Sequence, residues 1–124
     1  MCIYAPTTND PTSVATKFME LVEAEAEKAH DENKEVIIAG DFNAKIGRRR
    51  ESDEGIHFGS EGLDETNKRG KMWREFAIRN NFFVCDTYFK AKKSKKIPKR
   101  NFLQQTGGQG FRRKMDKKRL LPRI

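Results

Sequence analysis

Asp41 and Asn43 lie two residues apart, just beyond a short apolar run, Val36-Ile37-Ile38-Ala39, that stops at Gly40. A β-branched run of this length bounded by glycine reads as a buried strand ending in a turn. If extended backbone continues past Gly40, positions 41 and 43 project to one side while Phe42 points into the core. A carboxylate and a carboxamide held together at the carboxyl end of a strand occupy the usual ligand crevice of open α/β sheets. The chemistry that suits such a pair is phosphodiester hydrolysis. The carboxylate orients and deprotonates a water or helps to hold a divalent metal, and the amide donates to phosphoryl oxygens as charge builds. Gly-Asp-x-Asn is also ordinary turn chemistry, in which Asp and Asn side chains bond their own backbone. Spacing leaves both readings open.

The elements that must position this pair follow from periodicity. Cys2-Ile3-Tyr4-Ala5 reads as a short strand stopped by Pro6, and Asp10 before Pro11 as a helix start, with proline in the first helical position. From Thr12 to about His30 the apolar residues Val14, Phe18, Leu21, Val22, Ala26 and Ala29 recur at helical spacing. Glu20, Glu23, Glu25 and Glu27 then form a solvated outer face, and His30 favours the helix dipole at the carboxyl end. A charged, glycine-punctuated loop follows, and a second helix is predicted from about Lys68 to Arg79, capped by Thr66 or Asn67. Its apolar stripe is Met72, Trp73, Phe76 and Ala77, while Gly70 permits close backbone approach. After the Asn80-Asn81 stop, Phe82 to Tyr88 reads as a third strand, with Phe83, Cys85 and Thr87 on one face and Phe82, Val84, Asp86 and Tyr88 on the other. Strand, helix, strand, loop, helix, strand is an α/β pattern.

Three segments carry a resemblance. Ile38-Ala39-Gly40-Asp41-Phe42-Asn43 resembles the Gly-Asp-Phe-Asn motif of the endonuclease/exonuclease/phosphatase superfamily. Ile3-Tyr4-Ala5-Pro6-Thr7 is similar to its Tyr-Ala-Pro strand end. Asn67-Lys68-Arg69-Gly70, with Glu75-Phe76-Ala77 and Asn80-Asn81-Phe82, resembles the Asn-x-Arg-Gly helix and next strand of non-LTR (LINE/RTE-type) retrotransposon endonucleases and craniofacial-development-protein-2-like sequences. The match spans about residues 2 to 89, in the family's order. It implies part of a two-sheet sandwich with helices outside, and a Mg²⁺-dependent nuclease site. Asp41 would be the acid/base and, with Asn43, a metal-side ligand; Asn43 would contact phosphate and Tyr4 would help to place it. His57 matches a variable loop position, not the catalytic base. The family's amino-terminal Asn and Glu ligands and its carboxyl-terminal Asp-His pair have no counterparts here, so a truncated, inactive fragment that binds Mg²⁺ weakly or not at all is expected. Half of such a sandwich leaves one sheet face uncovered and edges unpaired, which predicts marginal stability.

Charge separates the chain into two parts. The total is +8, but residues 1–89 sum to −5 and residues 90–124 to +13, with Asp116 the one acidic residue of the second part. Residues 90–124 show no helix or strand period and read as a basic, disordered tail that would hold nucleic acid, DNA above all, without sequence choice. Arg48, Arg49 and Arg50 beside the proposed site offer a second grip on a phosphate backbone, or are simply solvated. No apolar run is long enough to cross a membrane, and no signal-peptide pattern opens the sequence, so a nuclear or cytoplasmic, non-secreted protein is expected. Cys2 and Cys85 lack metal spacing and read as buried reduced thiols.

Overall fold

A computed structural model describes residues 1–90 and 100–105. Five segments of the sequence pattern recur as elements: β1 (Cys2–Tyr4), α1 (Thr12–Asp31), β2 (Ile37–Asp41), α2 (Lys68–Arg79) and β3 (Phe82–Val84). A 3₁₀ turn, Cys85–Tyr88, follows β3, and β4 spans Arg100–Gln105. The fold is mixed α/β. Its sheet runs β1-β2-β4-β3, with β1 parallel to β2 and β4 antiparallel to both of its neighbours.

β4 corrects the reading of residues 90–124 as structureless, because its six residues fill the sheet between β2 and β3. The remainder of that basic segment lies outside the described residues. Leu103 explains the gain: it is fully buried and stands level with Ile38 on one side and Val84 on the other. One apolar residue on the core face suffices for a strand whose backbone groups are paired along both edges, a tertiary effect that lysine-rich flanks conceal in the sequence.

Both helices cover the same face of the sheet. Met19, Val22 and Ala26 of α1 share one core with Trp73, Phe76 and Ala77 of α2 and with Ile38, Phe82, Val84 and Leu103 of the sheet. Trp73 is the hub, meeting Phe42 and Phe76 edge-on at 4.7 and 5.2 Å and Phe18 at 6.5 Å. The expected stripe of α1 holds at Val22 and Ala26, with Phe18 and Ala29 packed against the core, but Ala15 and Met19 are buried in place of Val14 and Leu21, which are 45% and 69% exposed. Long side chains lean toward the helix amino terminus, so choosing the larger residue at each turn misplaces the face by one position.

Two boundaries also move. Asp10 does not cap α1, because its Oδ2 accepts the Thr7 backbone N–H at 2.8 Å and the Thr7 hydroxyl at 3.2 Å; the N-cap is Pro11. β3 ends at Val84 rather than Tyr88, since the Thr87 hydroxyl donates to the Val84 carbonyl at 2.6 Å and bends the chain into the 3₁₀ turn. Among the described residues the other sheet face is covered only in part. Phe83, Cys85 and Tyr88 pack with Ile56 of the long loop, whereas Tyr4 is 72% exposed and Ile37 39%. Cys2 is exposed as well, against the expectation of a buried thiol, and Cys85 is buried as expected.

Candidate functional site at the ends of β1 and β2

Tyr4 and Asp41 are register partners at the carboxyl ends of two parallel strands. The Ala5 N–H continues the ladder to the Asp41 carbonyl at 2.8 Å. Gly40 allows this closeness: at φ +140° it runs so near β1 that a Cβ would lie 2.0 Å from the Ile3 carbonyl oxygen.

Beyond Asp41 the extended backbone stops. Asn43 adopts a left-handed φ of +47°, and its N–H donates to Asp41 Oδ1 at 3.0 Å. That is the turn chemistry, present at the site itself. The Asn43 side chain turns inward, only 9% exposed, and its Nδ2 donates to the Ala5 carbonyl at 2.6 Å. Phe42 is fully buried against Trp73, as its spacing requires. The three residues predicted from sequence therefore meet, although in an arrangement that extended geometry does not give. Tyr4 presents its ring to solvent, Asp41 is half-buried with one oxygen committed to the turn, and Asn43 ties the two strand ends together.

The start of α2 clamps the next residues. Asn67 Oδ1 accepts the Gly70 N–H at 2.8 Å as the helix cap and the Lys45 N–H at 3.1 Å, while its own N–H reaches the Lys45 carbonyl at 3.1 Å. Gly70 is pressed against Lys45, where a Cβ would lie 1.7 Å from the carbonyl oxygen. Thr66 Oγ1 donates to the Ile46 carbonyl at 3.0 Å. Arg69 reaches the Asp10 carbonyl in the loop after β1. A single helix terminus thus holds the loops that leave both strands.

The three arginines of the sequence reading are engaged separately. Arg48 pairs with Asp64 at 2.7 Å, Arg50 donates to the Asp64 carbonyl and Thr66 hydroxyl, and Arg49 is exposed. Two other arginines, to which the sequence reading gave no role of their own, are buried. Arg74 spans the long loop, donating to the carbonyls of Ile46, Gly47 and Arg48 at 3.1 to 3.3 Å, pairing with Asp53 and lying 3.8 Å over the Phe58 ring. Burial pushes the Asp53 carboxyl up, but hydrogen bonds from Arg74 and from the Arg50 N–H, with the charges of both arginines, hold it below its ordinary value. A signal was available: Arg69 lies four residues before Trp73, and Arg74 four after Gly70, so both occupy the core side of α2. Glu23, expected in a solvated face, instead bridges the helices by accepting from Arg79 Nη2 at 2.9 Å and Nε at 3.3 Å. The Arg79 hydrogen bond lowers its pKa.

Among the described residues no group of three or more His, Cys, Asp or Glu side chains is arranged to hold a metal ion. No helix is long and apolar enough to cross a membrane, among the same residues. No family model, curated protein or solved structure matches the chain.

Proposed function

We propose that the chain is a piece of a Mg²⁺-dependent, phosphodiester-cleaving endonuclease of the retrotransposon type, within the endonuclease/exonuclease/phosphatase superfamily, and that it is inactive on the described residues alone. The observation that carries this reading is the meeting of the three resembling segments. Tyr4 pairs with Asp41, Asn43 is tied to Ala5, and Asn67 and Gly70 lock the strand end that follows. The segments are separated by tens of residues, and their convergence at the carboxyl ends of parallel strands is what a shared site requires.

In this reading Asp41 takes the proton from the attacking water, the Tyr4 hydroxyl donates to a phosphoryl oxygen, and Asn43 fixes the distance between the two strand ends. Mg²⁺ would stabilise the charge that develops on the phosphoryl oxygens. Its donors here would be the second Asp41 carboxylate oxygen and the Asn43 carboxamide oxygen. A hard cation prefers about six oxygens, so this pair leaves it largely hydrated and the remaining ligands must come from elsewhere. Because such groups act as a unit, the pair alone gives almost no rate. A plasmid-nicking assay with Mg²⁺ should show no difference between the chain and Asp41→Ala, and nicking that depends on Asp41 would overturn the inactive assignment. The lineage has its own test in the flanking genomic DNA. A downstream reverse-transcriptase frame supports it, and the absence of nuclease and reverse-transcriptase motifs from all flanking frames sinks it.

A second reading rests on the segregation of charge. The +13 balance of residues 90–124 against −5 for residues 1–89 favours a non-catalytic, nucleic-acid-binding role for the carboxyl-terminal basic segment. Since β4 belongs to the sheet, the informative deletion is 106–124, which removes seven Lys/Arg and leaves β4 in place. Retention on DNA at low salt should drop sharply with this deletion and, in the intact chain, fall steeply as salt rises. Retention unchanged by the deletion would contradict it.

A further inference from the structure

We propose that Arg100 is a phosphate-binding residue of the candidate site, set in one row with Tyr4 and Asp41 across three strands, and that the row receives a phosphodiester anion of a nucleic-acid strand. The inference rests on the reading of these strand ends as a phosphodiester site and supplies a cation for it. Register carries it. Tyr4 pairs with Asp41 across β1 and β2, and Asp41 pairs with Arg100 across β2 and β4. Ile3, Ile38 and Leu103 mark the sheet face that the helices cover. Tyr4 stands one residue from Ile3, Asp41 three from Ile38 and Arg100 three from Leu103, odd steps that place all three positions on the opposite face. β3 stops at Val84, the partner of Leu103, so its ladder ends before it reaches this row.

Charge explains why a cation is needed at this position. A phosphodiester anion brought beside Asp41 meets a carboxylate of its own sign, so binding there requires a positive group in the same row. Positions directly opposite in an antiparallel pair have Cβ atoms about 5 Å apart, which puts position 100 next to Asp41. Arginine suits the place because its planar fork of donors matches both carboxylate and phosphate oxygens. The cations of the loops and helix that clamp the strand ends have other partners: Lys45 pairs with Glu65, Arg48 with Asp64 and Arg74 with Asp53, and Arg69 donates to the Asp10 carbonyl. Tyr4, 72% exposed, brings a hydroxyl to the other end of the row. Phenol, carboxylate and guanidinium together carry no net charge, so an approaching phosphate is not repelled by the row as a whole.

The test is a titration of the full chain with a short oligothymidylate in the presence of EDTA, followed in ¹H–¹⁵N spectra. The Tyr4 and Asp41 amides and the Arg100 Nε–H resonance should shift together and saturably. Arg100→Gln should weaken the shifts at Tyr4 and Asp41 about tenfold, and Arg100→Lys should recover part of the loss. Arg112→Gln removes the same charge from the carboxyl-terminal segment and should leave the two amide titrations nearly unchanged. Equal weakening by Arg100→Gln and Arg112→Gln would overturn the assignment, because general attraction to a basic chain would then explain the binding. An Arg100 Nε–H signal that stays still while the amides move would overturn it too, and this measurement decides if Arg100→Gln fails to fold. Shifts that appear only with Mg²⁺ would assign the site to a metal instead, and inorganic phosphate that binds more tightly than the oligonucleotide would rule out the nucleic-acid strand as its ligand. Failure of the titration beside a downstream reverse-transcriptase frame removes Arg100 and leaves the nuclease lineage standing; flanking DNA without such motifs removes the lineage and leaves the titration to be judged by itself.

Discussion

At residue 43 the sequence and the backbone disagree with simple strand geometry, and the chemistry of asparagine resolves the disagreement. A non-glycine residue at φ +47° is strained by contact between its Cβ and the backbone, and asparagine tolerates the region because its side chain finds local partners. Here the partners are the Ala5 carbonyl for Nδ2 and Asp41 Oδ1 for the backbone N–H. Asn43→Ala should lose about 2 to 3 kcal/mol of stability, combining the buried hydrogen bond with the left-handed backbone. Asn43→Gly should recover about 1 kcal/mol of that loss, because glycine adopts the conformation freely while still lacking the hydrogen bond. Urea unfolding of the two variants measures the difference; equal losses would mean that backbone conformation is not what asparagine supplies. That Asp41 and Asn43 stand at the end of an apolar strand was legible from spacing. The positive φ that turns Asn43 inward was not, because it depends on a carbonyl 38 positions away in the chain.

At the scale of elements, charged side chains fasten the helices to what surrounds them. Glu23 and Arg79 join α1 to α2 near the surface, a pair of modest weight. Arg74 and Asp53 join α2 to the long loop in a mostly buried setting, with side chains 11% and 14% exposed. The folded-state pKa of Asp53 is depressed below its ordinary value of 3.8. Its contribution to stability is accordingly full above the unfolded-state pKa and disappears as pH falls through the folded-state value. Unfolding free energy should decline on acidification below about pH 4, and Asp53→Asn should be less stable at neutral pH with a shallower acid decline. Parallel acid limbs for the two proteins would show that Asp53 contributes no pH dependence. Periodicity locates α2, Lys68 to Arg79, to the residue and puts Arg69 and Arg74 on its core side, but it does not give the partners that each arginine meets there. Burial of arginine depends on carbonyls and carboxylates that only the folded loop brings to it.

For the molecule as a whole, the sheet decides how far the folded unit extends. β4 fills the place between β2 and β3, so without it β3 would lose its one strand partner among the described residues and β2 would keep only β1. A chain ending at residue 105 should unfold cooperatively like the full chain, whereas one ending at residue 89 should lose its cooperative transition. Circular dichroism during thermal unfolding distinguishes them, and a cooperative 1–89 chain would show that β4 is an accessory. The partly bare sheet face, with Tyr4, Ile37 and Cys2 exposed, places the proposed site at the margin of the covered core rather than inside it.

Sequence by itself determined the elements whose signal is local. Two amphipathic helices, two short apolar strands and the start of a third follow from side-chain period and stop signals, and so do the candidate residues at the end of β2. Tertiary structure alone decided the strand hidden in a basic segment, the inward turn of Asn43 and the partners of the two buried arginines. Each of these depends on a hydrogen bond or a packing contact between residues far apart in the chain, and neither composition nor period encodes which distant backbone will supply the partner.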